Sequence, residues 1–223
     1  GADPTFWLDQ AQDATVQDDF KVLWAGDSRA LGTEYSGSDP VYSHYAIPGW
    51  AAWANYETTG RLKTTDDSDI GLMIYSGYPA NQASGYLLSR QPGGSFKLAG
   101  VGSSLGGDLG LGVTPQPGSW YRFRVRTATA IEGVTVWAKV WLEGQPEPNQ
   151  WQALAHDTGP NRLTGGAVGV RSAGPGPAYF DELQVTPINS PLAAFVAVPN
   201  HGPPPLAVSM SNRAVNANQF QWY

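Results

Sequence analysis

The sequence predicts an all-β chain built as two stacked antiparallel sheets, and three observations carry that prediction. The first is strict alternation. Tyr121, Phe123 and Val125 share one face of an extended stretch, and Arg122, Arg124 and Arg126 share the other. Over residues 134–142, Val134, Val136, Ala138, Val140 and Leu142 alternate in the same way with Thr135, Trp137, Lys139 and Trp141. The second is punctuation: 27 glycines and 18 prolines in 223 residues cut the chain into short runs bounded by turns. The third is that no apolar i, i+3, i+4, i+7 pattern persists beyond two turns, which leaves almost no helix. About a dozen short strands at this spacing make a sandwich or a barrel.

Residues 1–17 read as a polar extension with a small apolar anchor, Phe6, Trp7 and Leu8. Residues 20–24 (F-K-V-L-W) follow Asp18 and Asp19 and read as the first strand. Residues 27–48 are turn-rich, with Tyr35, Tyr42, His44 and Tyr45 scattered through them. A strand is expected at 53–57 (W-A-N-Y-E), followed by a break at Gly60. Residues 70–76 and 85–90 are spaced as a hairpin around 77–84. A short strand follows at 95–98, and the glycine-rich run 100–112 reads as a loop with a short strand inside it. The turn T-P-Q-P-G at 114–118 launches the strand that begins at Trp120, and G-Q-P-E-P-N at 144–149 is the turn after its partner. Strands at 151–155, 166–171 and 178–186 complete the set.

Charged residues make up only 14% of the chain, against roughly 25% in an average soluble protein. The net charge of −6 argues against duplex nucleic acid, whose binding depends on neutralising phosphates. The absence of cysteine excludes disulfides and thiolate metal sites. No apolar run approaches the ~18 residues of a membrane span. The Gly-Ala-Asp-Pro start has no basic region leading into an apolar one, so any export signal is expected to be already gone. A cysteine-free, acidic, Trp-rich β composition reads as that of an exported bacterial protein, extracellular or at the cell surface.

Residues 18–187 resemble a concanavalin A-like (laminin-G-like) jelly roll of the kind found in bacterial exported multidomain proteins. The stretches that carry the resemblance are D-D-F-K-V-L at 18–23, N-Y-E-T-T-G-R-L-K at 55–63 and P-G-S-W-Y-R-F-R-V at 117–125. To these are added W-A-K-V-W-L-E-G-Q-P-E-P at 137–148, G-A-V-G-V-R-S at 166–172 and Y-F-D-E-L-Q-V at 179–185. The resemblance implies one convex and one concave sheet and a binding or adhesion role without catalysis. Composition shifts after Pro187. Residues 188–223 are similar to a linker and the opening of a polycystic-kidney-disease (PKD) repeat, an immunoglobulin-like sandwich. That fragment is far shorter than the about 100 residues of a complete sandwich.

The foremost candidate site is the basic and aromatic face of Arg122, Arg124, Arg126, Trp137, Lys139 and Trp141. Sugar rings present flat C–H faces that stack on indoles, while guanidinium and ammonium groups hydrogen-bond hydroxyls or, in an acidic glycan, carboxylates. The alternative is that both tryptophans pack under a loop or the N-terminal segment and the arginines are solvated spacers. Trp50, placed on a turn by Pro48 and Gly49, is the most exposed candidate of a second set that includes Trp53, Tyr56, Tyr75, Tyr78 and Tyr86. Core or cross-strand packing is the competing reading for each of them. The jelly-roll resemblance implies a structural Ca²⁺ at Asp181, with Asp19 or Asp18 and a carbonyl near Gly60 completing an oxygen shell. The competing reading satisfies Asp181 with backbone N–H groups and Arg61 or Lys63. Asp66, Asp67 and Asp69 lack the glycine and distal glutamate of an EF-hand loop and read as a solvated turn.

Jelly-roll glucanases carry a Glu-x-Asp-x-(x)-Glu strand, and jelly-roll alginate lyases a Gln-x-His strand. Neither motif occurs here. His44, His156 and His201 stand in separate contexts with no nucleophile motif beside them. The expected function is therefore a non-catalytic module that recognises carbohydrate or a cell-surface polymer through the concave sheet. Two alternatives stay open. One is a structural subunit of an extracellular assembly, self-associating through residues 191–223, where 192–198 and 206–209 are strand-like. The other is a polysaccharide-cleaving enzyme of jelly-roll fold.

Overall fold

The computed structural model describes residues 4–11, 20–77, 83–188, 195–198 and 209–212. In chain order its strands are β1 (Trp7–Ala11), β2 (Lys21–Trp24), β3 (Arg29–Thr33), β4 (Val41–Tyr45), β5 (Tyr56–Thr64) and β6 (Asp69–Gly77). They continue as β7 (Ser84–Arg90), β8 (Lys97–Val101), β9 (Gly106–Asp108), β10 (Tyr121–Ala130) and β11 (Gly133–Leu142). The last are β12 (Ala153–Asp157), β13 (Ala167–Ala173), β14 (Ala178–Pro187), β15 (Phe195–Val198) and β16 (Ser209–Asn212). One six-stranded sheet runs β1-β4-β13-β6-β7-β8, and one eight-stranded sheet runs β2-β3-β14-β5-β10-β11-β12-β9. The paired strands β15 and β16 form a separate two-stranded ladder. Every ladder is antiparallel, so the fold is the all-β, two-sheet jelly-roll sandwich that the sequence predicts.

The core lies between the two large sheets. Leu62, Phe123, Val125, Val136, Val140 and Phe180 from the eight-stranded sheet meet Ile70, Leu72, Ile74, Leu88 and Val170 from the six-stranded one. Burying each such side chain stabilises by about 1.5–3 kcal/mol. Buried hydroxyls join the sheets at fixed points. The Tyr56 hydroxyl accepts from the Tyr75 amide at 2.9 Å and donates to the Ala167 carbonyl at 2.9 Å. The Tyr86 hydroxyl donates to Asp157 Oδ2 at 2.9 Å, and the same carboxylate caps the Gly159 amide through Oδ1.

Several elements differ from the sequence reading. Residues 7–11, read as part of an extension, form β1 and add an edge strand to the six-stranded sheet through β4. The turn-rich segment 27–48 holds β3 and β4. Most of their residues are buried on both faces, so the apolar–polar alternation that marks a half-exposed strand is missing. Gly60 does not end a strand; β5 runs through it to Thr64. A Cβ at Gly60 would lie 2.7 Å from the Phe123 ring and 2.9 Å from Leu183, so the glycine makes room for two core side chains. The helical content of the described residues is a single 3-10 turn, Trp50–Ala52. Residues 78–82, inside the predicted hairpin, and residues 12–19 lie outside the described residues.

One buried group couples this fold to pH. His44 on β4 is 1% exposed, stacks on Tyr42 and meets the Ser76 hydroxyl through Nδ1. Burial pushes its imidazole down to about 4 from an ordinary 6.5. The folded chain thus takes up the proton less readily than the unfolded chain, and stability falls as pH drops from 6.5 to about 4. His44 alone contributes about 3 kcal/mol to that loss. Urea unfolding measured across the interval should show the slope, and His44→Gln, which cannot take the proton, should flatten it. An unchanged slope in a folded variant would assign the acid sensitivity elsewhere.

Candidate binding face

Strands β5, β10 and β11 lie side by side at the centre of the eight-stranded sheet. Their inward positions are apolar or small, and their outward positions carry charge and indole. Register then decides which outward residues meet. Arg122 lies between Arg61 and Trp141, Arg124 between Thr59 and Lys139, and Arg126 between Glu57 and Trp137. The structure thus gathers Arg122, Arg124, Arg126, Trp137, Lys139 and Trp141 onto one face.

Every cation of that group is engaged. Arg126 donates to Glu57 Oε2 through Nε at 3.0 Å and Nη2 at 2.8 Å, and Arg124 holds the other oxygen of the same carboxylate. Arg124 also donates to Glu147 Oε2 at 3.1 Å, and Lys139 donates to Glu147 Oε1 at 3.1 Å. A second set lies beside the first. Arg122 bridges Glu143 at 2.9 Å and Glu182 at 3.0 Å, while Arg61 holds Asp181 at 2.6 Å and Glu143 at 3.3 Å. Burial alone would raise the Glu147 carboxyl, but hydrogen bonds from Arg124 and Lys139 outweigh it and hold the group below its usual range. Burial works against the Arg124 cation in the same way, and Glu147 and Glu57 more than offset it.

Glu147 reaches the face because the segment after β11 folds back over the sheet. The Gln152 amide returns to the Ala138 carbonyl at 3.0 Å, and Lys139 donates to the Pro148 carbonyl at 2.6 Å. This sets the Trp151 ring over Lys139, 4.9 Å from ring centre to Nζ, and against Arg126 at 5.3 Å. On the other side the Trp120 ring lies 4.6 Å from the Arg61 guanidinium and 4.8 Å from Lys63. Lys139 is only 7% exposed and acts from beneath Trp151, not as a surface group. Trp137 and Trp141 are half-buried, and Leu154, opposite Trp137 on β12, is 39% exposed. What the face offers outward is therefore indole, Leu154 and the edges of fixed guanidinium and carboxylate groups, with Glu182 the most open of them at 48%.

The other sequence candidates fall elsewhere. Trp50 sits half-buried in the 3-10 turn between β4 and β5. Trp53, Tyr56, Tyr75 and Tyr86 pack in or against the core, and Tyr78 lies outside the described residues. Asp181 does lie on the face, but Arg61 holds its Oδ2 and the Glu182 amide donates to its Oδ1 at 2.8 Å. Arg61 and a backbone N–H are thus the partners of Asp181, as in the competing reading. Asp19 and Asp18 lie outside the described residues, and Gly60 backs onto Phe123. Among the described residues no cluster of three His, Asp or Glu side chains is disposed to hold a metal ion. Asp67 pairs with Arg90 and accepts from the Gly93 amide, closing a turn. His156 meets the Thr135 hydroxyl at 3.2 Å, and His201 lies outside the described residues.

Sequence reasoning missed Arg61, Glu57, Glu143, Glu147 and Glu182 as partners of the basic row, and Trp120 and Trp151 as its covers. The alternation of β5 does place Glu57 and Arg61 on one face. The pairing of β5 with β10, which joins them to the row, is a contact between residues about 65 positions apart.

No protein-family model matches the sequence, and no curated protein sequence does. Solved structures do match. The carbohydrate-binding module CBM66 from Bacillus subtilis aligns over 81% of this chain and 95% of its own, with TM-score 0.51 and 12% identity. That identity establishes the shared jelly-roll sandwich alone. A putative glycosyl hydrolase from Parabacteroides distasonis aligns over 76% of this chain and 90% of its own, at TM-score 0.42 and 14% identity. Peanut lectin with a bound 9mer peptide covers 81% and 93%, at TM-score 0.42 and 12% identity. These last two likenesses are too loose to carry an argument.

The charge network makes a direct prediction. Arg61→Met strands Asp181 and leaves Glu143 and Glu182 with Arg122 alone, and should lower unfolding free energy by about 1–3 kcal/mol in urea titrations. About 1 M NaCl should restore part of that loss by screening the stranded acids. Wild-type stability in the variant would mean the network contributes nothing to folding.

Proposed function

We propose that this chain is a non-catalytic carbohydrate-binding module of an exported bacterial protein, and that a glycan lies on the outer face of the eight-stranded sheet. The observation that carries the reading is the pair Trp137 and Trp141. They project outward from the same strand with one outward position between them, ~13 Å apart along β11. Both are half-buried, which fixes the rings, and both keep surface for stacking against sugar C–H faces. Beside them the side chains of Arg122 and Arg126 are partly exposed, 37% and 29%, and pre-oriented by their carboxylates to donate to hydroxyls. The fold shared with a module named for carbohydrate binding supports the reading.

The chemistry of the face favours binding over cleavage. A general acid works best with a pKa near the working pH. Glu147 is instead held below the carboxylate range, and Glu57, Glu143, Asp181 and Glu182 are bound to guanidinium groups.

A second reading rests on β15 and β16. A two-stranded ladder is marginal in water by itself and needs further strands to cover it. In this reading another subunit supplies strands by β-augmentation. Sedimentation separates this reading from the first: a concentration-independent monomer argues against assembly through this segment.

Trp137→Ala combined with Trp141→Ala should abolish retention in affinity electrophoresis through immobilised polysaccharide, with the far-UV spectrum unchanged. Base–aromatic stacking in nucleic-acid proteins is worth ~1–3 kcal/mol per ring, and a loss of that order per indole is expected here. Undiminished retention by a folded double variant would move the glycan off this face.

A further inference from the structure

The outer face carries five cations and five carboxylates in mutual contact: Arg61, Arg122, Arg124, Arg126 and Lys139 against Glu57, Glu143, Glu147, Asp181 and Glu182. Lys63, the remaining cation beside them, donates to the Ala25 carbonyl at 2.9 Å and lies against the Trp120 and Tyr179 rings. The row that looks basic in sequence is neutral in the fold. The chain around it carries a net charge of −6 and repels polyanions at long range.

Within this balance Glu57 holds a special place. It is the one carboxylate shared by Arg124 and Arg126, the two arginines nearest Trp137. Its side chain is 14% exposed, so its charge is little screened by solvent. We infer that Glu57 determines the class of ligand: held by both guanidinium groups at the centre of the face, it supplies the negative charge that brings the five cations and five carboxylates into balance, and so selects an uncharged glycan over a uronate- or sulfate-bearing one. The inference rests on the binding reading above and adds the residue and the chemistry that set its specificity.

Affinity electrophoresis of the whole chain tests it, with gels containing neutral polysaccharides (glucans, mannans, fructans) in one panel and polygalacturonate, alginate or chondroitin sulfate in another. The wild type should be retarded in the neutral panel alone, equally at low salt and at about 0.5 M NaCl. Glu57→Gln leaves Arg124 and Arg126 short of a charge. It should gain ~10-fold or more in retention on an acidic polymer, and salt should abolish the gain. Glu147→Gln releases Arg124 and Lys139 from the loop side without touching the central strands, and should show a smaller gain of the same kind. The inference falls if the wild type prefers acidic polymers with a steep salt dependence. It falls equally if both variants are folded and neither gains. No retention of the folded wild type in either panel removes the carbohydrate reading itself, and the inference with it.

Discussion

Strand β5 has to serve two neighbours and two faces at once, and most of the larger sheet follows from how it does so. It pairs with β10 on one side and β14 on the other. Inward it presents Tyr56, Thr58, Gly60, Leu62 and Thr64, and outward Glu57, Thr59, Arg61 and Lys63. The inward set ties the sandwich together, because the Tyr56 hydroxyl reaches Tyr75 and Ala167 of the opposite sheet. Gly60 lets Phe123 fill the centre, and its other close neighbour, Leu183, arrives through a bulge in β14 where Glu182 takes a φ of 53°. The outward set binds sideways, Glu57 to β10 and Arg61 to β14 and to the segment after β11. A shift of register by one residue would exchange the two sets and bury the charges.

The same arrangement bears on the recognition proposed for the face. A flexible row of free arginines would lose side-chain entropy on meeting a ligand, of the order of 0.5–1.5 kcal/mol for each one immobilised. Here that ordering has taken place on folding, because each guanidinium is already held by at least one carboxylate. The indoles are braced as well, Trp151 and Trp120 by the cations beneath them.

Much of the fold was legible because antiparallel strands with one solvated face write their geometry into alternation. β10 and β11 are of this kind, with Tyr121, Phe123, Val125, Val134, Val136, Ala138 and Val140 all inward. β3 and β4 were illegible for the opposite reason: Ala30 and Leu31, like Val41 and Tyr42, are buried as neighbours, so no period of two survives. Gly60 looked like a stop because a glycine inside a strand has meaning only once Phe123 is known to lie opposite. The candidate site divides along the same line. Four of its cations and two of its indoles are neighbours along β10 and β11, whereas Arg61, Glu57, Asp181 and Glu182 arrive from distant strands that pairing alone brings close. Glu143 and Glu147 were near enough to see, yet the return of their segment over the sheet depends on Gln152 and Lys139 meeting backbone groups.

The sharing of partners constrains how such a surface drifts over generations. Loss of Glu57 leaves two arginines short of a charge, loss of Arg124 does the same to two glutamates, and loss of Arg61 to three acids. Single steps through these positions are penalised, while matched replacements across β5, β10 and the segment after β11 are not. Among descendants of this chain, Glu57, Arg124, Arg126 and Glu147 should therefore change as a block or stay as they are, while Trp137 and Trp141, which take no part in these ion pairs, are free to change one at a time.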